Sequence, residues 1–202
     1  MKRGFIAVVV LLVVAGIVLQ CSPVALGQAA ANWTTLFDGT SLNGWNPIGD
    51  ANWRLADGVA QADKGTGFLV SKAPYGDFQL RVEFWDTGDT NSGVFLRCSN
   101  PQQVSPATCY EVNIWDSRTV DNYRTGAIVD LAKPTSVVNT ADKWNTYEIT
   151  AQGTHLVITL NGVRTVDIND SKYARGPIAL QYAAVPNGAG VVKFRKVEIR
   201  TL

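Results

Sequence analysis

The sequence predicts an all-β protein, an antiparallel sandwich or barrel, from three observations. Short segments of alternating apolar and polar residues follow one another after residue 32, as in "DFQLRVEFWD" at residues 77–86. Turn residues separate these segments, and Asp57-Gly58 in "NWRLADGVAQAD" predicts a turn between two short strands. Asn161-Gly162 between "VITL" and "VRTVDI" is a strong hairpin signal. No window keeps a helical apolar period for three turns. About a dozen short strands joined by turns are typical of sandwiches and barrels.

The first 30 residues have the layout of a secretory signal peptide. Lys2 and Arg3 precede the apolar run "GFIAVVVLLVVAGIVL", and the small residues of "ALGQAAA" follow it. We expect cleavage after Gly27 or one of the next alanines, which leaves residues 31–202 as a single domain. The exported protein would then be periplasmic or extracellular and would have no stable membrane insertion. An uncleaved membrane anchor and lipid attachment at Cys21 are the alternatives.

The charge balance excludes two classes of partner. The formal net charge of the whole chain is +1, and it falls to −1 without the two positive charges of the leader. Nucleic acids and anionic membranes are bound through clustered Lys and Arg, and no block of like charges occurs here. We therefore expect neither as a main partner.

Cys98 and Cys109 are the two cysteines that remain after the leader. Cys98 ends the strand-like run "SGVFLRC" and Cys109 begins "CYEVNIW", so antiparallel pairing of the two runs would bring them together. We predict a disulfide, which suits an exported protein. Two separate thiols are the alternative, and a metal site at this pair is not expected because no further Cys or His lies nearby.

The segment "CYEVNIWDS" raises the question of function. Its alternation puts Glu111, Asn113 and Trp115 on one face. A glutamate is unusual on a face buried in the core, and a tryptophan is unusual on a face exposed to solvent. Two preceding strands carry a similar mixture of acids, arginine and aromatic rings. If the three are sheet neighbours, they form a patch that could hydrogen-bond the hydroxyls of a sugar and cover its apolar face. The patch comprises Glu83, Trp85, Phe95, Arg97, Glu111, Asn113 and Trp115.

Two structural explanations compete with a binding patch. Glu83, Arg97 and Glu111 could form an ordinary salt-bridge ladder on an exposed sheet. Alternatively, the loop at residues 130–142 could cover the face and leave no site.

One short resemblance concerns a glycosidase motif. "E-V-N-I-W-D" resembles the E-x-D-x-x-E run of laminarinase-like glycoside hydrolases, with Asn113 in place of the middle acid and Asp116 in place of the last. That resemblance implies hydrolysis by a pair of carboxylates, Glu111 and Asp116.

A second resemblance covers nearly all of the chain after the leader. The sequence resembles the bacterial 3-keto-disaccharide hydrolase domain in eight segments that occur in the same order. It implies a secreted jelly-roll sandwich of concanavalin- or laminin-G-like type, and cleavage of glycosides oxidised at C3. A 3-ketone acidifies the C2 proton, so a base can drive elimination of the anomeric substituent. The segments are "WTTLFDGTSLNGW", "DFQLRVEFW", "NSGVFLR", "YEVNIWD", "TGAIVDLAKP", "WNTYEI", "LNGV" and "GPIALQ".

The same resemblance points to individual site residues. They are Glu83, Asn91, Arg97, Glu111, Asp116 and Gln181. On chemical grounds we expect Glu111 to be the base, with Glu83 or Asp116 as a second acid, and Arg97 to hold the keto oxygen. Asn91, Asn113, Trp115 and Gln181 would contribute to substrate binding.

One feature of the sequence departs from the family. Members often carry a histidine just after "LQ", where this chain has Tyr182, Ala183 and Ala184. A carbohydrate-binding sandwich without catalysis is therefore the alternative function. His155 is expected to be an exposed strand residue. No cofactor is expected, although a Ca²⁺-type ion held by carboxylates stays open.

Overall fold

The computed structural model describes Met1, residues 32–185 and residues 190–202. The predicted leader, its cleavage near Gly27 and the lipid alternative at Cys21 lie outside the described residues. The strands belong to one unit, Ala31–Leu202. Within the described segments, no helix has both the length and the apolar character needed to cross a membrane.

Thirteen β-strands and one 3₁₀ turn, Val120–Asn122, make up the regular structure of the described residues. Eight strands form one sheet: β1 (Thr34–Phe37), β3 (Arg54–Ala56), β4 (Val59–Ala62), β6 (Phe78–Asp86), β9 (Trp144–Gln152), β10 (His155–Leu160), β11 (Val163–Asn169) and β13 (Val192–Thr201). Five strands form the other: β2 (Trp45–Gly49), β5 (Thr66–Ser71), β7 (Asn91–Leu96), β8 (Tyr110–Ile114) and β12 (Ala179–Ala183).

The order of strands in the larger sheet is β11-β10-β9-β6-β13-β4-β3, and β1 also pairs with β13. The order in the smaller sheet is β2-β5-β12-β7-β8. Every strand pair in both sheets is antiparallel. The predicted all-β antiparallel sandwich is confirmed.

The core lies between the two sheets because one side chain of every alternating pair points inward. In β6, Phe78 and Phe84 are fully buried, and the residues between the inward positions are partly exposed. Phe84 stacks on Tyr147 of β9 with ring centroids 5.0 Å apart. Burying one such aromatic side chain contributes about 2–3 kcal/mol relative to leaving it in water.

The predicted turns occur where the sequence places them. Asn161 and Gly162 have φ angles of 51° and 81° and join β10 to β11. Asp57 and Gly58, at 52° and 74°, join β3 to β4. Both central residues of a type I′ turn need positive φ, which explains the Asn-Gly and Asp-Gly signals.

The disulfide between Cys98 and Cys109 is present, with the two Cα atoms 4.3 Å apart. It closes the loop that joins β7 to β8. The bond and Val104 pack against Val70 and Phe95, on the outer face of the five-stranded sheet. This small apolar cluster, separate from the main core, ties the loop to the sheet. Disulfides persist in oxidising compartments, so the bond is compatible with an exported protein.

Candidate functional site

The candidate site lies on the outer face of the five-stranded sheet, away from the core. One rung of the sheet aligns five residues from five neighbouring strands. From β8 to β2 they are Asn113, Gly93, Gln181, Phe68 and Ile48. We call this row the central rung. The central rung places one amide side chain on each side of a glycine, and two apolar side chains follow the second amide.

Glu111 lies beside the central rung, two residues before Asn113 on β8. Its side chain is only 6% exposed, and no hydrogen bond from the described residues reaches its carboxylate. Burial raises the pKa of Glu111 to about 7, and the nearby Asp130 adds to the rise, whereas Arg118 opposes it. A carboxylate that titrates near neutrality can take up and release a proton under ordinary conditions.

The two amides of the central rung have unsatisfied oxygens. Among the described residues, neither Asn113 Oδ1 nor Gln181 Oε1 has a hydrogen-bond partner, and both atoms are buried. Asn113 Nδ2 donates to the carbonyl of Tyr123, which sets the amide orientation and leaves Oδ1 free to accept. An unpaired buried polar atom costs about 1–3 kcal/mol, so both oxygens are suited to a ligand that donates hydrogen bonds.

Gly93 leaves space at the centre of the rung. A Cβ placed there would lie 3.2 Å from the carbonyl oxygen of Val112 and 3.3 Å from Cγ and Oε1 of Glu111. A side chain at this position would therefore crowd the Glu111 carboxylate. The glycine therefore leaves the space beside the Glu111 carboxylate free of a side chain.

Arg118 brings a positive charge to the site. Its guanidinium lies over the ring of Trp115, with Cζ 4.3 Å from the ring centroid. Among the described residues its Nε has no hydrogen-bond partner, and this atom is buried. Arg118 also provides the largest opposing effect on the raised pKa of Glu111, so the two charges lie close enough to interact.

Only two of the three strands predicted to form the patch are neighbours. Strands β7 and β8 pair directly, but β6 lies in the eight-stranded sheet. Glu83 and Trp85 therefore occupy the outer face of the opposite sheet. There Glu83 forms an ion pair with Arg195, and Trp85 lies under Lys193. This corrects the expectation that Glu83 acts beside Glu111. The alternative ladder of Glu83, Arg97 and Glu111 does not form either, because Glu83 pairs with Arg195 and Arg97 pairs with Asp77.

Arg97 also leaves the predicted patch. It follows the end of β7 with a φ of 50°, and its side chain is fully buried. It donates to the backbone carbonyls of Gly76, Gly153 and Tyr173 and pairs with Asp77 at 3.0 Å. These bonds use its guanidinium to join three loops. The structure corrects the expectation that Arg97 holds a substrate oxygen, because its donors already have partners.

Asp116 connects two loops at the edge of the site. Its Oδ2 accepts hydrogen bonds from Thr140 N at 2.6 Å and Ala141 N at 3.3 Å. Its Oδ1 lies 3.2 Å from Arg124 Nη2. Oδ2 is thus occupied and the charge is paired with Arg124, although Oδ1 accepts no hydrogen bond from the described residues. This ion pair with Arg124 corrects the expectation that Asp116 is an unpaired second acid beside Glu111. Glu111 is left as the acid of the site without such partners.

A second buried acid, Asp86, lies at the end of β6 near Asp116. It is fully buried, and its Oδ2 accepts from Gly88 N at 3.0 Å. Burial raises the pKa of Asp86 to about 6, and the charges of Asp116 and Asp142 add to the rise.

The loop that could have covered the face runs along the side of the sandwich. Val129 N donates to Glu111 O at 3.0 Å, and Thr135 N donates to Thr165 O at 2.8 Å. Val129, just before the loop, thus bonds to the edge strand β8, and the loop itself bonds to the edge strand β11. Phe68 and Gln181 both keep part of their side chains exposed on the face.

The remaining predicted residues border the rung. Asn91 opposes Ala183 on β12, and Trp115 follows the end of β8; Asn91 and Trp115 are half-buried. Ala183 shares the outer face with Gln181, whereas Tyr182 points into the core and donates to Gly190 O at 3.0 Å. Of the positions after "LQ", Ala183 thus lies where a histidine would reach the site.

His155 is an exposed strand residue, as predicted, and bonds Asp167 at 2.7 Å. Across the segments that the structure describes, no group of three or more His, Cys, Asp or Glu side chains is arranged to hold a metal ion.

Phe68 and Arg118 are site residues that sequence reasoning did not identify. Phe68 packs edge-on against Phe95 at 5.3 Å between centroids. The alternation of "TGFLVS" indicates that Phe68 shares a face with Thr66 and Val70, but it does not identify the neighbouring strand. Arg118 lies in a loop, where the alternation of apolar and polar residues does not tell in which direction a side chain points.

Comparison with known protein families gives a match over most of the chain. Residues 32–200 match the sequence model described as the 3-keto-α-glucoside-1,2-lyase-like domain. None of the proteins of curated function matches the chain.

Solved structures share the fold. A Parabacteroides distasonis protein provisionally described as a glycosyl hydrolase is 25% identical, with a TM-score of 0.69 over 85% of this chain and 100% of its own. A second protein of that organism and provisional description is 20% identical, with a TM-score of 0.72 over 84% and 94%. The carbohydrate-binding module CBM66 of Bacillus subtilis is 16% identical, with a TM-score of 0.58 over 78% and 96%. The jelly-roll type of the sandwich is thereby confirmed.

Proposed function

The chain belongs to the 3-keto-α-glucoside-1,2-lyase-like domain family, and on this premise we propose that it is an exported protein that cleaves 3-keto-glycosides by elimination. The observation that carries the proposal is the group of unsatisfied acceptors on one sheet face. Glu111, Asn113 Oδ1 and Gln181 Oε1 are buried there without hydrogen-bond partners among the described residues. Sugar hydroxyls and an acidic C–H group are the donors that such a set accommodates.

Glu111 is the proposed base. In the first step its carboxylate takes the proton from C2 of the sugar, and the electron pair moves toward the C3 ketone to give an enolate. In the second step the enolate re-forms the ketone, a C1–C2 double bond forms, and the C1–O bond breaks. The proton held by Glu111 then passes to the departing oxygen. A pKa of about 7 suits both the uptake and the return of this proton.

Arg118 is the proposed partner of the enolate, a role that Arg97 cannot take. The negative charge that develops on the C3 oxygen is stabilised by a nearby cation with free donors. Arg118 is close enough to Glu111 to lower its pKa, and its Nε is without a partner among the described residues. Asn113 and Gln181 would accept hydrogen bonds from the sugar hydroxyls and set its orientation.

The test uses a chromogenic 3-keto-glucoside and the Glu111→Gln variant. We expect the wild type to release the nitrophenol, and Glu111→Gln to lose activity at least 100-fold while it stays folded. Glu83→Gln is the matched control, because this acid lies on the opposite sheet and its loss should leave activity unchanged. Substrate deuterated at C2 should react more slowly if proton removal limits the rate. Release that is insensitive to Glu111→Gln would exclude this mechanism.

A binding function without catalysis is the second candidate. Ala183 stands on the site face where a histidine would reach it, so this chain has one titratable group fewer than the family pattern implies. If the wild type binds 3-keto-glucosides without releasing a product, and Glu111→Gln weakens that binding, the domain is a carbohydrate-binding module.

A further inference from the structure

A groove of about 450 Å³ lies on the outer face of the eight-stranded sheet, on the other side of the sandwich from Gly93. Small-molecule sites usually measure about 300–1,000 Å³, so the groove has the size of a binding site. Side chains from two neighbouring rungs of the sheet line it. One rung consists of Arg81, Glu148, Thr159 and Arg164, and the other consists of Arg200, Gln79, Thr150 and Val157.

Arg200 is a half-buried cation of this groove without an acidic partner. Among the described residues its guanidinium has one hydrogen-bond partner, the neutral side chain of Gln79, which accepts from Nη2. Its Nε is buried and has no partner among these residues. Glu198, two residues earlier on β13, pairs with Lys196 instead. A charge and a donor that are removed from water without a partner cost free energy, so the position favours an anionic ligand.

Trp33 holds a second arginine close to Arg200. The guanidinium groups of Arg81 and Arg200 both lie over its ring, with Cζ 4.9 Å and 5.3 Å from the ring centroid. Each such contact is worth about 0.5–2 kcal/mol, so the ring keeps two like charges near each other. Arg81 donates to Glu148 through Nη2, and its other N–H groups have no partner among the described residues. An anion beside the two groups would use these donors and relieve the repulsion.

Positive charge is concentrated along the groove. Three arginines and Glu148 are the charged residues of its lining, which gives the lining a net charge of +2. Residues 31–202 as a whole carry −1, since Lys2 and Arg3 account for two of the positive charges of the chain.

The positive groups lie at both ends of the groove. Arg164 is three strand spacings from Arg81 along the same rung, or about 14 Å. Its Nη1 pairs with Asp167, which lies beyond the lining, and its remaining donors have no partner among the described residues. Two separate positive ends suit an extended ligand that carries more than one negative charge.

The middle of the groove offers partners for hydroxyl groups. Glu148, Thr150 and Thr159 lie between the positive ends, and carboxylates and hydroxyls hydrogen-bond the hydroxyls of a sugar. A guanidinium binds a carboxylate through two parallel hydrogen bonds. Sugars that bear carboxylates combine both kinds of group.

We propose that this groove binds an acidic oligosaccharide, a short chain of sugars that bear carboxylates. One carboxylate lies at Arg81 and Arg200, another lies at Arg164, and the sugar hydroxyls face the threonines between them. The site is separate from the one over Gly93, and the inference does not depend on the proposed function.

The test measures binding of trigalacturonate and of its fully methyl-esterified form by calorimetry at low ionic strength. The ester keeps the chain and its hydroxyls but removes the negative charges. We expect the wild type to bind the acid at least tenfold more tightly than the ester. Arg200→Gln should remove most of this preference, and Arg164→Gln, at an exposed position, should weaken binding of the acid at least threefold. Arg195→Gln is the matched control, because Arg195 lies on the same strand as Arg200 and over another tryptophan, Trp144, outside the groove.

Three results would overturn the proposal. Affinities for the acid and the ester within twofold of each other would show that the charge is not recognised. An equal loss in Arg195→Gln and Arg200→Gln would show attraction to the whole face and not to the groove. Loss of binding in Glu111→Gln would place the acid at the site over Gly93. Binding that survives Glu111→Gln and is lost in Arg200→Gln supports the groove, also where the protein cleaves no 3-keto-glucoside.

Discussion

Asn113 and Gln181 lie on either side of Gly93 on one rung of the five-stranded sheet, and each has a buried side-chain oxygen without a partner among the described residues. Proteins normally satisfy such atoms, so this pair beside a buried acid supports the proposal that a ligand binds here. On the outer face of the opposite sheet, by contrast, Glu83 is paired with Arg195 and Glu148 with Arg81.

Gln181→Met should stabilise the free protein and weaken ligand binding. The substitution removes a buried acceptor that costs about 1–3 kcal/mol when unpaired, and it keeps a side chain of similar length. We expect a small increase in the midpoint of thermal unfolding and at least tenfold weaker binding of a 3-keto-glucoside. Gln152→Met, at the exposed end of β9, is the control and should change neither quantity. Unchanged binding by Gln181→Met would remove this residue from the site.

Gly93→Ala should block the site at its centre. The added methyl group would crowd Glu111 at 3.3 Å, and it would occupy the floor on which the sugar is proposed to lie. We expect binding to weaken at least tenfold, measured by calorimetry. Gly44→Ala is the matched control because its methyl group would meet only the carbonyl of Leu36, at an ordinary 3.6 Å. If Gly93→Ala binds the sugar as the wild type does, the ligand does not lie over Gly93.

Glu111 should make activity and stability depend on pH in opposite directions. A base must be deprotonated, so the rate of cleavage should rise with pH and level off above about 7. The pKa is raised from 4.5 in the unfolded chain, so the folded protein binds the proton more tightly. The free energy of unfolding should therefore fall by about 3 kcal/mol as pH rises from 4.5 to 7.

Urea unfolding at several pH values checks this dependence. Glu111→Gln should remove the part of the fall that Glu111 causes between pH 4.5 and 7, leaving the fall up to about pH 6 that Asp86 causes, and should be more stable than the wild type at pH 8. Asp86→Asn is a useful comparison, because its pKa is raised from 3.8 to about 6 and its effect belongs to a lower pH window. A wild-type stability that is flat across both windows would contradict the burial of these two charges.

Arg97→Lys should lower stability and leave chemistry at the site unaffected. A lysine cannot serve three carbonyls and a carboxylate at once, so we expect a loss of about 3 kcal/mol in the free energy of unfolding. Arg81→Lys, in the exposed pair with Glu148, should cost less than about 1 kcal/mol. If the folded Arg97→Lys variant instead lost catalytic rate at full stability, the arginine would belong to the site.

The errors in the predicted patch have identifiable physical causes. Alternation assigns each residue of a strand to one of two faces, and it did so correctly for Glu83 and Glu111. It cannot say which strands pair, and β6 pairs with β9 and β13, which follow it by many residues in the chain. Arg97 lies outside the predicted patch for a different reason. Its positive φ ends the strand, so it no longer shares the face of Phe95.

The sequence by itself determined the all-β class, the two hairpin turns, the disulfide and the face of β8 that carries Glu111. Each of these depends on local signals: a period of two, residues that tolerate positive φ, and cysteines at the ends of consecutive strands. Only the tertiary structure decided which strands lie side by side, that Arg97 and Asp116 are engaged by the protein itself, and that Phe68 and Arg118 lie on the same face as Glu111 or beside it. Those relationships arise from pairing between distant strands and from loop conformation, and neither leaves a periodic pattern in the chain.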